Sequence, residues 1–440
     1  MTQPSNPVSK QQLTRRNFLR TSAAAASAAA FSRLPIERAA HAAGSGAFKI
    51  GMIGAGGRCA GAAKDAMDAD SDARLVAIHD VFMDRVKSKL EALKKQKPEQ
   101  VQVKDSNCFD GLDGYKGVIE ASDVVLIANA AKFHPLHTLA AIQAGKHVFV
   151  EKPHGIDPYG VKMMAKACEL ARQKKLCVVS GLHSRYHLGY QETIKRIHDG
   201  AIGDIVAIEE NFLRQPYGVY RRQAGWTEMQ SQLGNQYHFV WLSGDDVPQS
   251  LIHNMDRASW ALKEQAPLRC HGLGGRSASF GEEYGDVFDH HSVIYHFPNG
   301  VRVYAFCRTQ VRCYNEYSSI ILGSKGRCDL MRCRIEGETN WTYEGKAPEP
   351  HAYEHVKLFE ALRKGEVINN GEYRARSTMM NVMGQISCYT GAEITWEQIN
   401  QSDFHYPIKP EDCRMDMEPP AKKGPDGLYP VYVPGVTKLI

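Results

Sequence analysis

The chain of 440 residues contains no uninterrupted apolar run of about 18 residues, the length a helix needs to cross a bilayer, so it offers no membrane span. Its eleven cysteines include no CxxC pair, and an odd number without that spacing indicates neither a zinc site nor a disulfide framework. Cysteines scattered in this way behave as small buried hydrophobes. An internal repeat is also lacking. Nor is there a surplus of charge, because six of the 54 Lys and Arg and one of the 49 Asp and Glu fall within positions 1–42, leaving 48 of each sign. Without a basic excess, nucleic-acid binding has no electrostatic footing. What is present is an ordinary globular composition, 43% apolar and 23% charged, in a chain long enough for two domains with separate cores.

Positions 1–42 stand apart from the rest. Thr14-Arg15-Arg16-Asn17-Phe18-Leu19-Arg20 leads into an alanine-rich, weakly apolar stretch from Ala23 to Phe31, and Ala40-His41-Ala42 fits a small-x-small cleavage site. The pattern resembles a twin-arginine export signal, which implies a periplasmic protein that folds and takes up any cofactor before export.

The stretch from Phe48 to Gly61 organises the remainder of the chain. A short apolar run stops at Gly54-Ala55-Gly56-Gly57, and a small-residue helical pattern (Ala62, Ala63, Ala66, Met67) begins, which reads as strand, tight turn, helix. Such a turn sets backbone N–H groups at a helix N-terminus against a pyrophosphate. The motif GxGxxG is incomplete, since Cys59 stands where the third glycine belongs. The next strand, Arg74 to His79, ends at Asp80, about 20 residues on, where a carboxylate can bind adenosine ribose hydroxyls. A nicotinamide or flavin dinucleotide is therefore the expected cofactor. Asp80 favours NAD over NADP because its charge repels a 2′-phosphate, while Arg58 and Arg85 keep NADP compatible.

Strand and helix patterns alternate as far as Pro153, with buried strands at 122–129 and 147–150, and this predicts an α/β fold with a doubly wound parallel sheet. Gly54, Asp80, Asn129 and Glu151 all fall at strand ends, where such sheets bind ligands. A further strand at 175–180 runs into a loop holding His183, Arg185 and Tyr186. From Gly203 onward alternating strands dominate, and Ser292–Phe297, Pro298-Asn299-Gly300 and Val301–Cys307 spell a hairpin. The expected division is an export signal at 1–42, a dinucleotide-binding domain at 48–170, an α+β domain with a large, mainly antiparallel open sheet at 171–417, and an extended arm at 418–440. The arm, rich in Pro and Gly, suits packing on a neighbouring subunit. A metal is not expected, because strand alternation sends His290 and His291 to opposite faces and no other ligand spacing occurs.

These residues resemble the glucose-fructose oxidoreductase / inositol dehydrogenase (Gfo/Idh/MocA) family. The glycine turn, the Asp80-x4-Arg85 spacing and the string Ala144-Gly145-Lys146-His147-Val148-Phe149-Val150-Glu151-Lys152-Pro153 carry the likeness. Asp199-Gly200-Ala201-Ile202-Gly203-Asp204, Ile252-His253-Asn254-Met255-Asp256 with Trp260, and Tyr295 to Gly300 extend it. The resemblance implies a Rossmann domain whose NAD or NADP touches Gly54, Gly56, Gly57, Arg58, Asp80, Arg85, Asn129, His134, Glu151 and Lys152. It also implies a homo-oligomer built on the open sheet.

For chemistry, the resemblance implies hydride transfer to or from a sugar, polyol or glycoside hydroxyl. Such a step needs a base for the hydroxyl proton and a group that steadies the developing oxyanion. Lys152, before a proline the family tends to hold cis, is the expected oxyanion partner, and His253 the expected base, with Asp256 one turn on. Gln249 stands where many relatives place an aspartate, so a conventional proton relay is in question. Arg185, Tyr186, Tyr237, Gln249 and Asn254 are expected polar contacts for a carbohydrate-like substrate. Two further functions stay open, a redox-cycling glycoside hydrolase or lyase and a non-catalytic dinucleotide-binding regulator.

Overall fold

The computed structural model describes residues 46–440, and the expected export signal at 1–42 lies outside them. The first of two sheets is built from β1 (Lys49–Ile53), β2 (Arg74–His79), β3 (Cys108–Phe109), β4 (Val124–Ile127), β5 (His147–Val150) and β6 (Val178–Ser180). All its pairs are parallel, in the order β3-β2-β1-β4-β5-β6. Helices α1 (Gly57–Ala69), α2 (Met83–Gln96), α3 (Tyr115–Ala121), α4 (His134–Gln143) and α5 (Pro158–Gln173) connect the strands. β4 is Val-Val-Leu-Ile with every residue buried, the continuous apolar strand of a sheet covered on both faces. The chain reverses direction across the sheet between β1 and β4, so a crevice opens beyond these strand ends, at the glycine turn. Val178–Ser180 pairs with β5, so the parallel sheet continues past residue 170, where its end is expected from the sequence.

After α6 (Leu188–His198) comes a nine-stranded sheet. Its strands are β7 (Ile205–Arg214), β8 (Arg269–Gly275), β9 (His290–His296), β10 (Arg302–Thr309), β11 (Glu316–Gly323), β12 (Gly326–Asp329), β13 (Arg334–Gly337), β14 (Trp341–Thr342) and β15 (Ile394–Thr395). They are ordered β14-β13-β12-β11-β7-β10-β9-β8-β15. The β9–β10 hairpin is the one read from the sequence. Pairs throughout this sheet are antiparallel except that β7 runs parallel to β10, so the sheet is mixed. Between β7 and β8 lie α7 (Glu228–Gly234), α8 (Val240–Ser243), a π-helical turn at Val247–Leu251 and α9 (Ile252–Ala261). The remaining helices are α10 (Pro350–Lys364), α11 (Gly371–Thr390) and α12 (Trp396–Gln401).

Alternation on β9 buries His291, Val293 and Tyr295 and turns His290, Ser292, Ile294 and His296 the other way. The buried face receives α11, in which every residue from Ser377 to Thr390 is buried. A Cβ on Gly384 would fall 2.2 Å from the Tyr295 hydroxyl, so glycine lets helix and sheet approach closely. A helix enclosed all round has no amphipathic stripe, which is why the sequence does not announce it. The opposite face carries Leu273, Ile294, Tyr304, Ile320 and Leu322, with Leu273 74% exposed and the Glu209 side chain of β7 lying between Tyr304 and Ile320.

Residues 418–440 form no strand or helix, as the composition suggests, but they lie along their own chain. The Tyr429 ring sits 5.0 Å from Phe239, Tyr432 sits 4.4 Å from Tyr389, and Gly435 N–H donates to Thr390 O at 2.8 Å. Among the described residues no helix is long and apolar enough to cross a membrane.

Candidate active site

The glycine turn fits a dinucleotide pyrophosphate. Gly54 has φ +104°, and a Cβ there would meet Ala128 O at 2.7 Å, so only glycine is accommodated. A Cβ on Gly56 or Gly57, by contrast, would meet nothing within 4 Å; these glycines face open space at the start of α1, and side chains would intrude on it. Gly56 is the N-cap of α1 and supplies no side-chain cap, which leaves the first-turn N–H groups for an anion. Cys59 fills the third glycine's place without loss of packing, because it is fully buried with Sγ 3.6 Å from Leu126 O. Burial pushes its thiol up to about 12, so it is inert at neutral pH. Asp80 accepts from Ala55 N–H at 2.8 Å through one oxygen and from Phe82 N–H at 3.2 Å through the other, which locks the carboxylate beside the turn.

The other expected cofactor residues divide. Asn129 donates to His137 Nδ1 at 3.3 Å, and its own Oδ1 is buried without a partner. His134 is 2% exposed and lies within 2.8 Å of Pro153 O and 3.0 Å of Asn129 O, so it fixes two loops from behind instead of meeting a ligand. Arg85 donates to Gly234 O at 3.1 Å and lies against the Phe82 ring, at one wall of a cleft of about 480 Å³ that Tyr220 and Trp226 also line. Arg58 turns to Glu151, 2.5 Å away, and to Glu354 of α10 at 3.3 Å. Burial and the Glu151 charge push the Glu354 carboxyl well above the usual range, so Glu151 is the main counter-charge of Arg58.

Lys152 follows β5 and precedes a cis peptide bond to Pro153. Its Nζ donates to the backbone carbonyl of Gln249 at 2.6 Å, which joins the end of the parallel sheet to the π-helical turn. His253, in the first turn of α9, makes no hydrogen bond among the described residues, and its Nδ1 is buried. Burial, then His183, Lys152 and Arg257, push its pKa well below the ordinary value, so the ring is neutral and able to accept a proton.

What places this histidine is Asp245, which has φ +67° and is 3% exposed. One oxygen accepts from Tyr389 at 2.5 Å, Phe288 N–H at 2.9 Å and His291 Nε2 at 3.1 Å. These bonds tie the start of the 245–253 segment to β9 and α11.

Several expected substrate contacts are already committed. Arg185 meets Asp256 with two bonds of 2.8 Å and Glu264 at 2.6 Å, between the rings of Trp260 and Tyr373. Asp256 therefore serves Arg185 and Ser377 and not His253, although spacing put both on one helical face. Asn254 is 0% exposed and donates to Glu210 at 2.8 Å and Ser318 O at 2.9 Å. Tyr186 donates to Asn370 at 3.1 Å, and the Gln249 amide donates to Ser243 O at 2.8 Å. Tyr237 stacks on Tyr217 at 4.1 Å, and the two share a small cavity with Gln249.

Two residues at the site, His351 and Glu354, are not singled out from the sequence, and His183 is named there only as part of its loop, with no role. The His183 ring lies 4.9 Å from His253 and 3.9 Å from His351. No motif surrounds His351 or Glu354, and only the packing of α10 brings Glu354 to Arg58 and His351 to His183.

Residues 48–182 match the Gfo/Idh/MocA model, an oxidoreductase family with an NAD-binding Rossmann fold. The match covers the six-stranded sheet and ends before the nine-stranded one. Inositol 2-dehydrogenase of Klebsiella pneumoniae strain 342 is 33% identical over 219 residues, 49% of this chain and 55% of that protein. D-glucoside 3-dehydrogenase of Escherichia coli K12 is 32% identical over 93 residues, 21% of this chain and 26% of that protein. The chain thus spans about half, or less, of these relatives. An aldose-aldose oxidoreductase from Caulobacter crescentus, solved with glycerol, superimposes with a TM-score of 0.61 at 18% identity, over 79% of this chain and 99% of that one. A protein of gentamicin A biosynthesis in complex with NAD gives 0.59 at 16% identity, over 80% of this chain and 96% of that one. At these identities the structural likeness establishes the shared fold.

Replacing Arg185 with Ala leaves the Asp256 carboxylate buried and unpaired, and a stability loss of about 3–5 kcal/mol is expected. The urea midpoint measures it. Unchanged stability together with a raised KM would return Arg185 to the substrate.

Proposed function

We propose that this protein is an NAD-dependent oxidoreductase that acts on a hydroxyl of a sugar, polyol or glycoside. One observation carries the reading: Lys152, after β5, is held on the carbonyl of Gln249, four residues before a neutral, unbonded His253, and the open glycine turn lies at the same edge of the parallel sheet. The names of the inositol and glucoside dehydrogenases support the substrate class. NAD is preferred to NADP because Asp80 stands where a 2′-phosphate would be repelled. In this assignment the parallel-sheet part holds the dinucleotide and the mixed-sheet part serves substrate and assembly.

Bound NAD supplies the hydride acceptor. The first turn of α1 holds the pyrophosphate through backbone N–H groups, and Asp80 keeps the turn shaped for it. Lys152 Nζ, fixed on Gln249 O, has donors left for the substrate oxygen and stabilises negative charge as it develops there. His253 accepts the hydroxyl proton in its neutral form. In the reverse direction the same two groups return the proton and hold the carbonyl oxygen.

The twin-arginine pattern at 1–42 supports export to the periplasm with the dinucleotide already bound. The exposed Leu273 and Leu322 on the outer sheet face support a homo-oligomer that covers it. Cell fractionation and light scattering test these two points; a cytoplasmic protein or a monomer at micromolar concentration would refute the respective one.

Purified enzyme, denatured, is expected to release stoichiometric NAD, and a protein that neither carries nor binds dinucleotide would remove the whole reading. With substrate, net NADH formation separates a dehydrogenase from redox-cycling cleavage, which leaves the cofactor unchanged. Lys152→Ala is expected to lower kcat by about 10²- to 10³-fold with dinucleotide content unchanged. Because His253 is held below its ordinary pKa of 6.5, it stays unprotonated as pH falls through that value, and the acid limb of kcat/KM is expected below pH 6.5. A limb at or above that pH would exclude His253 as the base.

A further inference from the structure

We propose that His183 is a second substrate-binding imidazole, which receives the hydroxyl next to the one that His253 deprotonates, so that the preferred substrate is a neutral vicinal diol. The proposal rests on the oxidoreductase reading above and names the substrate class for the same site.

His183 begins the short 3-10 turn His183–Tyr186 that follows β6. One face of its ring is held by His351, stacked at 3.9 Å and 25°, and His351 is itself anchored by its Nδ1 on Glu349 at 2.7 Å. Toward the site the ring stands 4.9 Å from His253, inclined at 53°. Neither ring makes a hydrogen bond among the described residues, and each has a buried Nδ1 without a partner. Two adjacent imidazoles thus keep their hydrogen-bonding capacity unspent, in a protein interior where polar groups are normally paired.

Other histidines show what a structural role looks like here. His134 has an oxygen partner at each nitrogen, and His154 lies between Ser180 at 2.9 Å and Thr378 at 3.3 Å. His355 is unbonded too, but it is 0% exposed and packs against Phe149. His183 and His253 alone among these are both unbonded and partly exposed, the first just after β6 and the second in the first turn of α9.

The surroundings define the ligand. Burial, His351 and the cations Arg257, Arg58 and Lys152 push His183 down to about 2, so it is neutral, with one nitrogen donating and the other accepting. A hydroxyl is likewise both donor and acceptor. An anionic substituent would need a free cation beside it, yet Arg58 and Arg185 are engaged with carboxylates, Arg257 is fully buried and donates to Tyr317 at 2.8 Å, and Lys152 is assigned to the reacting oxygen. Rings this close address neighbouring carbons and not opposite ends of a sugar ring. His253 takes one hydroxyl together with Lys152, and His183 takes its neighbour.

A mutant cycle against deoxy substrates tests this. Wild type, His183→Ala and His183→Asn are assayed by NADH formation with whichever of myo-inositol and methyl β-D-glucopyranoside is oxidised, and with its monodeoxy analogues. For the full diol, His183→Ala is expected to raise KM about tenfold or more with kcat within about threefold, and Asn to recover part of the loss. For the analogue that lacks the neighbouring hydroxyl, wild type and His183→Ala should be equal within about twofold. The same loss on every analogue, or no loss on the diol, overturns the proposal, and if the Ala variant does not fold the Asn variant is held to the same comparison. No NADH from wild type with either substrate overturns the oxidoreductase reading and this inference together, whereas NADH from wild type with an unaffected variant overturns this inference alone.

Discussion

A buried carboxylate tolerates removal from water only when donors replace the lost hydration, and Asp245 meets that requirement by drawing on three separate parts of the chain. Tyr389 comes from α11, His291 from β9, and the Phe288 N–H from the loop before it. Because all three must converge on one residue, the segment from 245 to 253 has little freedom. That rigidity sets the Gln249 carbonyl against Lys152 and stands His253 beside it. The geometry of the site therefore depends on how Asp245 is anchored.

The same logic accounts for which parts of the site are legible in the sequence. Gly54, Asp80 and Lys152 act through positions next to their own strands, so short spacing is enough to find them. The stretch from Phe48 to Asp80 and the string ending at Lys152-Pro153 accordingly read correctly as strand, turn and strand end. Arg185 and Asn254 read as substrate contacts because their residue types suit hydroxyls. Asp256, Glu264 and Glu210, which in fact engage them, are brought close only by tertiary packing. Glu354 and His351 reach the site from a helix that no local motif marks. α11 is invisible for a different reason, since a helix enclosed on every side has no polar face to give its period away.

Charge balance within the crevice is correspondingly uneven. Arg58 is matched by Glu151, Arg185 by Asp256 and Glu264, and Arg257 lies 3.8 Å from Glu210. Lys152 is held by a carbonyl dipole instead of a carboxylate, so its full charge remains directed at the site. A cation left uncompensated beside neutral imidazoles suits an oxygen on which negative charge develops.

The single parallel pair in the mixed sheet, β7 with β10, bears on the order in which the molecule is assembled. Residues 215–301 lie in the loop that this pairing closes, and they include Asp245, Gln249 and His253. The glycine turn and Asp80 arise from contacts within a few dozen neighbouring residues, whereas His253 reaches its place only after that long loop has been shut. Contact order therefore sets the glycine turn and Asp80 among the short-range contacts of the fold and His253 among the long-range ones.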